Sequence, residues 1–278
     1  MRDGDAGIEV LMMRRHAEMS FGGAWVFPGG TIDDADLEAS IQSRWPTAQC
    51  MRCRERLAIA NAPAASLEAA VGLHVAACRE VFEETGILLV RSATGAPSEQ
   101  QLERIRSRRE QISAQAGAFA DMLAAENLHL DFDALVYWAH WITPVGVPKR
   151  YDTRFFAVQA PPEQTAMADA RESSEFAWVE PGVMAANGGA SLLPPTFITL
   201  LDLAASAAQH RSAAAMLATE ASRVAIPIMP KLKREGSEMV TLFPWDPEYA
   251  STQAEGVPLC CDPPAQLRRL PSRSVISR

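Results

Sequence analysis

Three glutamates, Glu80, Glu83 and Glu84, lie close together in the stretch Arg-Glu-Val-Phe-Glu-Glu-Thr-Gly-Ile at residues 79–87. On an α-helix, offsets of three and four residues put these side chains on one face, within an arc of about 100°. In a partly enclosed cleft, grouped carboxylates repel one another and require a compensating cation. Their oxygen atoms suit Mg²⁺ or Mn²⁺, so the spacing is compatible with a metal site. On an open surface the same cluster would be an ordinary acidic helix face.

The neighbouring residues predict that the glutamates lie on an amphipathic helix. Apolar side chains recur at spacings of three and four residues on the opposite side, at Leu67, Val71, Val75, Cys78 and Phe82. Ser66 fits an N-cap and Gly86 fits a left-handed C-cap. Arg79 lies four residues before Glu83 and can hold its side chain through charge-assisted hydrogen bonds. Residues 87–90 predict a buried strand.

The motif Arg-Glu-x2-Glu-Glu-x-Gly at residues 79–86 resembles the second half of the Nudix box, Gly-x5-Glu-x7-Arg-Glu-x2-Glu-Glu-x-Gly. The turn Phe27-Pro28-Gly29-Gly30 resembles the start of that box. Gly30 and Arg79 are 49 positions apart, whereas the box has 14, so 35 extra residues separate the two halves. Counting on from Gly30 puts Asp36 where the family has its first glutamate. We expect the insertion to displace Asp36 from the site, as a surface residue.

Other segments resemble the same family in the same order. They are a strand before the Pro-Gly-Gly turn, the strand at residues 150–158, and the stretch from Glu172 to Glu180. The split box is similar to that of the Nudix branch containing peroxisomal coenzyme A diphosphatases and their bacterial relatives. The resemblance implies an α/β Nudix fold, an α/β/α sandwich with a mixed sheet and helical insertions.

This interpretation assigns residues 1–225 to a Nudix hydrolase domain. An insertion at 31–65 splits the box, and residues 98–128 form a helical cap. Residues 226–278 form a C-terminal extension. Strands are expected at 7–14, 24–28, 134–143, 151–159 and 238–243, and helices at 36–60, 99–127 and 196–223.

The resemblance also implies metal-dependent hydrolysis of a diphosphate linkage in a nucleoside-diphosphate-linked metabolite. Glu80, Glu83 and Glu84 would be ligands of Mg²⁺ or Mn²⁺. Arg79, Glu80 and Glu83 would be the catalytic residues. One glutamate, or a carboxylate from another loop, would accept the proton of the attacking water. The structural glycines of the box would be Gly29, Gly30 and Gly86.

The substrate has a weaker signature. Coenzyme A-specific members carry Leu-Leu-Thr-x-Arg-Ser/Ala-x3-Arg-x3-Gly-x3-Phe-Pro-Gly-Gly, and here Leu11, Arg14 and Gly23 are in register, whereas Met12 and Met19 depart from it. Coenzyme A or an acyl-CoA is the best guess. The alternatives are ADP-ribose, NADH, nucleotide sugars or dinucleoside polyphosphates, and outside enzymes a non-catalytic, nucleotide-sensing Nudix-like module. Basic residues that could contact the substrate phosphates are Arg14, Arg15, Lys149, Arg150 and Arg154.

Composition limits the other functions of the chain. It has 278 residues, 48% of them hydrophobic, and a net charge of −8, which argues against nucleic-acid binding. It lacks an apolar run long enough for a membrane span and a signal-peptide pattern, so we expect a cytoplasmic protein without a membrane partner. Cys50 and Cys53 lack a second pair at zinc-finger spacing, so reduced thiols are expected. The sequence begins at the turn Arg2–Asp5: either the true start lies upstream, or a lost edge strand favours a homodimer.

Overall fold

The computed structural model describes residues 1–18, 21–38, 44–58, 65–92, 95–167, 173–253 and 263–276. In chain order, the strands are β1 (Arg2–Asp3), β2 (Ile8–Arg15), β3 (Trp25–Val26), β4 (Val90–Ser92), β5 (Leu128–Leu130), β6 (Val136–Ile142), β7 (Asp152–Ala157), β8 (Ser173–Val179), β9 (Pro227–Ile228), β10 (Lys231–Glu235), β11 (Glu238–Leu242) and β12 (Arg273–Ile276). The α-helices are α1 (Thr47–Arg56), α2 (Leu67–Thr85), α3 (Glu99–Arg106), α4 (Arg109–Ser113), α5 (Ala118–Ala125), α6 (Pro181–Asn187), α7 (Pro194–Ala207) and α8 (Ala213–Glu220). None of the helices in these ranges is long and apolar enough to cross a membrane.

The first sheet is built around β2, which pairs antiparallel with β1, β3 and β8. Successive side chains of a strand point to opposite faces. Accordingly, Leu11 joins the hydrophobic cluster around α2, whereas Val10 and Met12 join the cluster around α7. The sheet therefore lies between two groups of helices, as expected for an α/β/α sandwich. The strand predicted at 7–14 is confirmed, and the one predicted at 24–28 shortens to β3.

The second sheet has the order β7-β6-β9, with β6 and β7 antiparallel and β6 and β9 parallel. One face carries Tyr137 and Phe156, whose rings pack 5.6 Å apart in the cluster around α2. The other face carries Trp138 and Trp141, which pack in the cluster around α7. Strand β9 follows residue 225, so the segment assigned to the C-terminal extension supplies a strand to this sheet.

Helices α1 to α5 cover the α2 side. Helix α1 lies in the insertion and buries Cys50 and Cys53 against α2. Burial raises the pKa of the Cys53 thiol to about 12, which keeps it protonated. The predicted helical region 99–127 is confirmed as α3, α4 and α5, whose buried residues Ile105 and Phe119 belong to the same core as α2. The region predicted at 36–60 contains the 3₁₀ turn Asp34–Leu37 and α1, while residues 39–43 and 59–60 lie outside the described ranges.

Helices α6 to α8 cover the opposite side. The predicted helix at 196–223 is interrupted: α7 ends at Ala207, and Ser212 starts α8 by accepting a hydrogen bond from the Ala215 amide. The interruption arises because the Ser212 side chain satisfies an amide that a continuous helix would bond to its own carbonyl.

The prediction of a strand at residues 87–90 is wrong for three of the four residues, because only Val90 belongs to β4. The backbone groups of Leu88 are instead satisfied by one side chain. Its N–H donates to Gln164 Oε1 over 2.8 Å, and its carbonyl accepts from Gln164 Nε2 over 2.9 Å. A side-chain amide thus replaces a neighbouring strand at this position.

The C-terminal segment forms a sheet of its own with the order β10-β11-β12, which confirms the strand expected at 238–243. This sheet is attached to the core by Phe243, which is fully buried and packs edge-on against Trp141 of β6 at 5.8 Å. Asp246 is buried and accepts two hydrogen bonds from the guanidinium of Arg273 on β12. The extension is therefore an integral part of the hydrophobic core.

Candidate active site

Helix α2 carries the three glutamates, and its boundaries agree with the sequence prediction. Ser66 Oγ accepts a hydrogen bond from the Ala69 amide at the start, and Gly86 ends the helix with a φ of 71°. The apolar residues predicted for its back are in the core, with Val71, Cys78 and Phe82 fully buried. The glutamates consequently lie on a helix that cannot rotate without exposing apolar surface.

The Pro-Gly-Gly turn lies directly against these glutamates. The amide of Gly29 donates a hydrogen bond to Glu84 Oε2 over 2.6 Å. A Cβ atom at Gly30 would be only 2.5 Å from Glu80 Oε2, so a glycine lets the turn approach the carboxylate this closely. Phe27 packs edge-on against Phe155 of β7 at 5.9 Å, which fixes the start of the turn. The two halves of the split box therefore meet in the folded chain.

Arg79 lies between the two halves and is almost completely buried. Its Nη1 atom donates to Glu80 Oε1 over 3.0 Å and to Glu83 Oε2 over 3.2 Å. Its Nη2 atom donates to the carbonyl of Thr31 over 2.8 Å and to Asp36 Oδ2 over 2.9 Å. One guanidinium thus binds two glutamates of the second half and two residues that follow the turn.

The expectation that Asp36 is displaced to the surface is wrong. Asp36 is only 3% exposed and forms a salt bridge with Arg79. The physical reason is the 3₁₀ turn Asp34–Leu37, which packs on α2 where Gly72 has no side chain. The additional residues follow this turn in the chain, so the first half of the box keeps its place against α2. The signal in the sequence is the spacing from Gly30, which puts Asp36 at the position of the first glutamate of the family.

The site is strongly acidic and poorly solvated. Desolvation raises the pKa of the Glu83 carboxyl to about 7; the charge of Arg79 opposes this rise, while Glu80 and Asp33 add to it. Burial lowers the pKa of Arg79, but its hydrogen bonds to the Asp36 carboxylate and the charge of Glu80 outweigh this effect, so the pKa of Arg79 is raised overall. Arg79 alone does not offset the negative charge around Glu83.

The carboxylates are the type of ligand that a hard divalent cation prefers, since they are oxygen donors on one helix face with excess negative charge. Within the described ranges, however, no three His, Cys, Asp or Glu side chains converge closely enough to form a metal-binding group. Glu80 and Glu83 turn to Arg79, and Glu84 turns to the Gly29 amide. Each glutamate is thus held in place by its own hydrogen bond, which is compatible with all three serving as ligands of one cation site.

The candidate phosphate-binding residues fall into two groups. Arg14 and Arg15 end β2, where Arg14 Nε donates to the carbonyl of Gly23 over 3.3 Å and Arg14 Nη1 lies 3.7 Å from Glu175. Arg14 also pairs with Trp25 of β3, the strand that leads into the Pro-Gly-Gly turn. Arg14 and Arg15 therefore lie at the end of the strand that pairs with β3, and β3 leads into the candidate site.

The second group lies on or next to β7. Arg154 Nη1 forms a 3.0 Å salt bridge with Asp152 on the same strand. Arg150 Nε donates to the carbonyl of Thr143 over 3.1 Å, which closes the turn between β6 and β7. Lys149 lies over the ring of a nearby tyrosine at 5.2 Å. Each of these three basic side chains therefore has a partner within the protein that explains its position. Glu172 and Met19, which the sequence comparison used, lie outside the described residues.

Comparison with known proteins gives matches from one family. A profile of the NUDT19 Nudix domain matches residues 4–198. The acyl-coenzyme A diphosphatase NUDT19 of Gallus gallus is 29% identical over 212 residues, which cover 64% of this chain and 55% of that protein. The Xenopus laevis protein of the same name is 27% identical over 200 residues, covering 62% and 53%. The chain therefore spans about half the length of these relatives.

A solved structure agrees with these matches. The crystal structure of a Nudix hydrolase from Alicyclobacillus acidocaldarius superposes with a TM-score of 0.57 and 27% sequence identity. The superposition covers 73% of this chain and 87% of the other.

Proposed function

We propose that this chain, which belongs to the NUDT19 Nudix domain family and has an α/β Nudix fold, hydrolyses a diphosphate linkage in coenzyme A or an acyl-CoA. The observation that carries the proposal is the reassembled box. Gly29 binds Glu84, Gly30 lies against Glu80, and Arg79 joins both halves. Two relatives of this family are named acyl-coenzyme A diphosphatases, which supports this choice of substrate.

In this proposal Glu80, Glu83 and Glu84 hold Mg²⁺ or Mn²⁺. The cation would neutralise the diphosphate oxygens and lower the pKa of the attacking water. Glu80 and Glu83 would exchange a contact with Arg79 for the cation, while Arg79 would keep its contacts with Asp36 and Thr31. Water would attack one phosphorus, the phosphorus–oxygen bond of the bridge would break, and two phosphate monoesters would leave.

Glu83 is the residue whose protonation matters most to this scheme. Its pKa of about 7 applies to the metal-free site. A bound cation would lower this pKa and keep the carboxylate ionised, so that it could bind the cation or accept the proton of the attacking water. Arg14 and Arg15 would contact the remaining phosphates from the end of β2. This contact is consistent with the pairing of β2 with β3, the strand that leads into the Pro-Gly-Gly turn.

The test is to incubate the purified chain with Mg²⁺ and each candidate substrate, and to separate the products by chromatography. The panel contains coenzyme A, acyl-CoAs, ADP-ribose, NADH, a nucleotide sugar and a dinucleoside polyphosphate. Glu83→Gln and Glu84→Gln should each abolish turnover, whereas Glu103→Gln, an exposed carboxylate on α3, should not. Activity that survives both substitutions would reject the assignment of the site.

The same panel separates the alternatives. Cleavage of ADP-ribose or another nucleotide with inert coenzyme A would keep the reaction and change the substrate. Tight binding of a nucleotide without cleavage would favour the sensing module. The salt bridge between Asp36 and Arg79 supports catalysis over sensing, because it orients the glutamates on α2.

A further inference from the structure

The carboxyl-terminal turn of α2 carries two of the three glutamates, Glu83 and Glu84, and contains no basic residue. The negative end of a helix dipole disfavours anionic side chains in this turn, and the last carbonyl groups of a helix lack partners within it. The chain also leaves α2 at Gly86 without joining a strand until Val90. The position of both glutamates therefore depends on groups that other segments supply.

Arg106, the last residue of α3, supplies one of these groups. Its Nε atom donates to the carbonyl of Gly86 over 3.3 Å, and its Nη2 atom donates to Gln164 Oε1 over 3.3 Å. A third hydrogen bond joins Nη1 to Glu99 Oε1 over 3.4 Å, at the start of the same helix. The side chain is only 14% exposed. The guanidinium is thus held in one orientation, with its positive charge at the negative end of α2.

Gln164 extends this contact from the segment that follows β7. Its Oε1 atom accepts from the Leu88 amide and from Arg106 at the same time, and its Nε2 atom donates to the carbonyl of Leu88. The chain just beyond α2 has no neighbouring strand, so this side chain is what satisfies its backbone. Arg106 thereby orients the amide that holds Leu88.

Two carbonyl groups at the end of α2 are satisfied from outside the helix. The carbonyl of Thr85 accepts from the Met167 amide over 2.7 Å, and that of Gly86 accepts from Arg106. Arg109, the first residue of α4, in turn donates from Nη1 to the carbonyl of Met167 over 2.8 Å. Helix α3 therefore holds the end of α2 directly, and α4 holds it through the segment after β7.

We propose that Arg106 is a positioning residue for the cation site, because it fixes the end of α2 that carries Glu83 and Glu84. It acts through Gly86 and Gln164 and contacts neither the cation nor the reacting phosphorus. The inference rests on the proposed function, in which the glutamates bind Mg²⁺ or Mn²⁺. Helix α3 would then contribute to the affinity of the site for its metal.

Charge and position predict opposite effects when Arg106 is replaced. Its positive charge repels a cation, so loss of the charge alone would tighten cation binding. Loss of its hydrogen bonds would release the end of α2 and weaken binding. Arg106→Lys separates the two effects, because lysine keeps the charge but lacks the planar fork that reaches Gly86 and Gln164 together.

The experiment measures the dissociation constant of Mn²⁺ for the substrate-free protein by electron paramagnetic resonance, which detects the free ion. The variants are Arg106→Lys, Arg106→Gln and Gln164→Met, the last of which keeps a side chain of similar length without its hydrogen bonds. Arg104→Gln is the matched control, since it removes the same charge from α3 at a side chain that is 60% exposed and pairs with Glu126. Thermal melting checks that each variant is folded at the temperature of the measurement.

Partners of metal ligands typically contribute roughly 10- to 100-fold to metal affinity, and Arg106 acts from one contact further away. We therefore expect the Kd of Mn²⁺ to rise by about fivefold or more in all three variants and to stay constant in Arg104→Gln. The Mg²⁺ concentration that gives half-maximal hydrolysis should rise in parallel, while kcat at saturating Mg²⁺ should change less.

Tighter binding in Arg106→Gln with unchanged binding in Arg106→Lys would overturn the inference, because only the charge would then matter. An unchanged Kd in the folded Arg106 variants would overturn it as well, and so would an equal rise in Arg104→Gln. In these cases, turnover by the wild type would leave the proposed function intact. A wild type that binds no Mn²⁺ and hydrolyses none of the substrates would reject both.

Discussion

At the scale of single residues, the site depends on a close approach that only glycine permits. Gly30 faces the Glu80 carboxylate, and its φ is not in the positive region, so alanine fits its backbone conformation. What alanine would change is the space, because its Cβ atom would come within 2.5 Å of Glu80 Oε2.

Gly30→Ala should therefore lower activity more than stability. The Glu80 carboxylate must move by about 1 Å to restore normal contact, and a displacement of that size at a reacting centre costs on the order of 100-fold in rate. The measurement is kcat/KM on the best substrate of the panel together with the Tm. Unchanged kcat/KM in the folded variant would show that the observed position of Glu80 is not needed.

The raised pKa of Glu83 makes a prediction for the metal-free protein. The unfolded chain releases the Glu83 proton near the ordinary pKa of 4.5, whereas the folded chain keeps it until about 7. Stability is therefore lost as the pH rises through this window, and the loss persists above it. Glu83→Gln should melt higher than the wild type at about pH 8 in a chelator, but not at about pH 4.5.

The control for this pH experiment is Glu103→Gln, which removes an exposed carboxylate that is not among the partners of Arg79. Its Tm should follow that of the wild type at both pH values. If Glu83→Gln also follows the wild type, the attraction of Arg79 offsets the desolvation of Glu83.

At the scale of elements, the contact between α2 and the turn Asp34–Leu37 decides whether the first half of the box reaches the site. Gly72 lies at this contact, and a Cβ atom there would be 3.2 Å from the carbonyl of Asp36 and 2.6 Å from Leu37 Cδ2. Alanine inside a helix normally gains up to about 1 kcal/mol over glycine. Here the turn would have to move.

We expect Gly72→Ala to lower kcat/KM and to forfeit the usual gain in Tm. Gly182→Ala is the matched control, because its Cβ atom would meet the Cβ atom of Ala204 at an ordinary 3.5 Å. The control should keep its activity with an unchanged or higher Tm. A Gly72→Ala variant that behaves in the same way would mean that the turn yields without disturbing Asp36.

The elements also show what a sequence can reveal. Helix α2 was predictable with both caps, because its apolar spacing and its terminal residues Ser66 and Gly86 are local signals. The position of Asp36 was not, because it depends on whether the 35 extra residues are inserted before or after it, and no local pattern specifies that point. Likewise, the pairing of Leu88 with Gln164 joins residues 76 positions apart, and no local pattern specifies it.

At the scale of the whole molecule, the C-terminal extension and the Nudix domain share one core. Strand β9 pairs with β6, and Phe243 packs against Trp141 on the same sheet. A Pro-rich tail predicts neither contact, because both depend on the completed sheet.

Phe243→Ala should destabilise the entire chain by about 3–5 kcal/mol, because it leaves a large cavity in a fully buried site. Chemical unfolding followed by tryptophan fluorescence would show a lower midpoint in a single transition. Phe21→Ala, at a phenylalanine that is 55% exposed, should change stability by less than about 0.5 kcal/mol. A separate early transition in Phe243→Ala would instead mean that the extension unfolds alone.

The split box has a small thermodynamic cost. Joining Gly30 and Arg79 closes a loop of 49 residues instead of 14, and because loop entropy grows with the logarithm of length, this costs only about 1 kcal/mol more for a flexible chain. The hydrogen bond from Gly29 to Glu84 and the contacts of Arg79 clamp the two ends together. Loop entropy therefore sets little limit on the length of the inserted segment, whose sequence is restricted instead by the packing of α1 against α2.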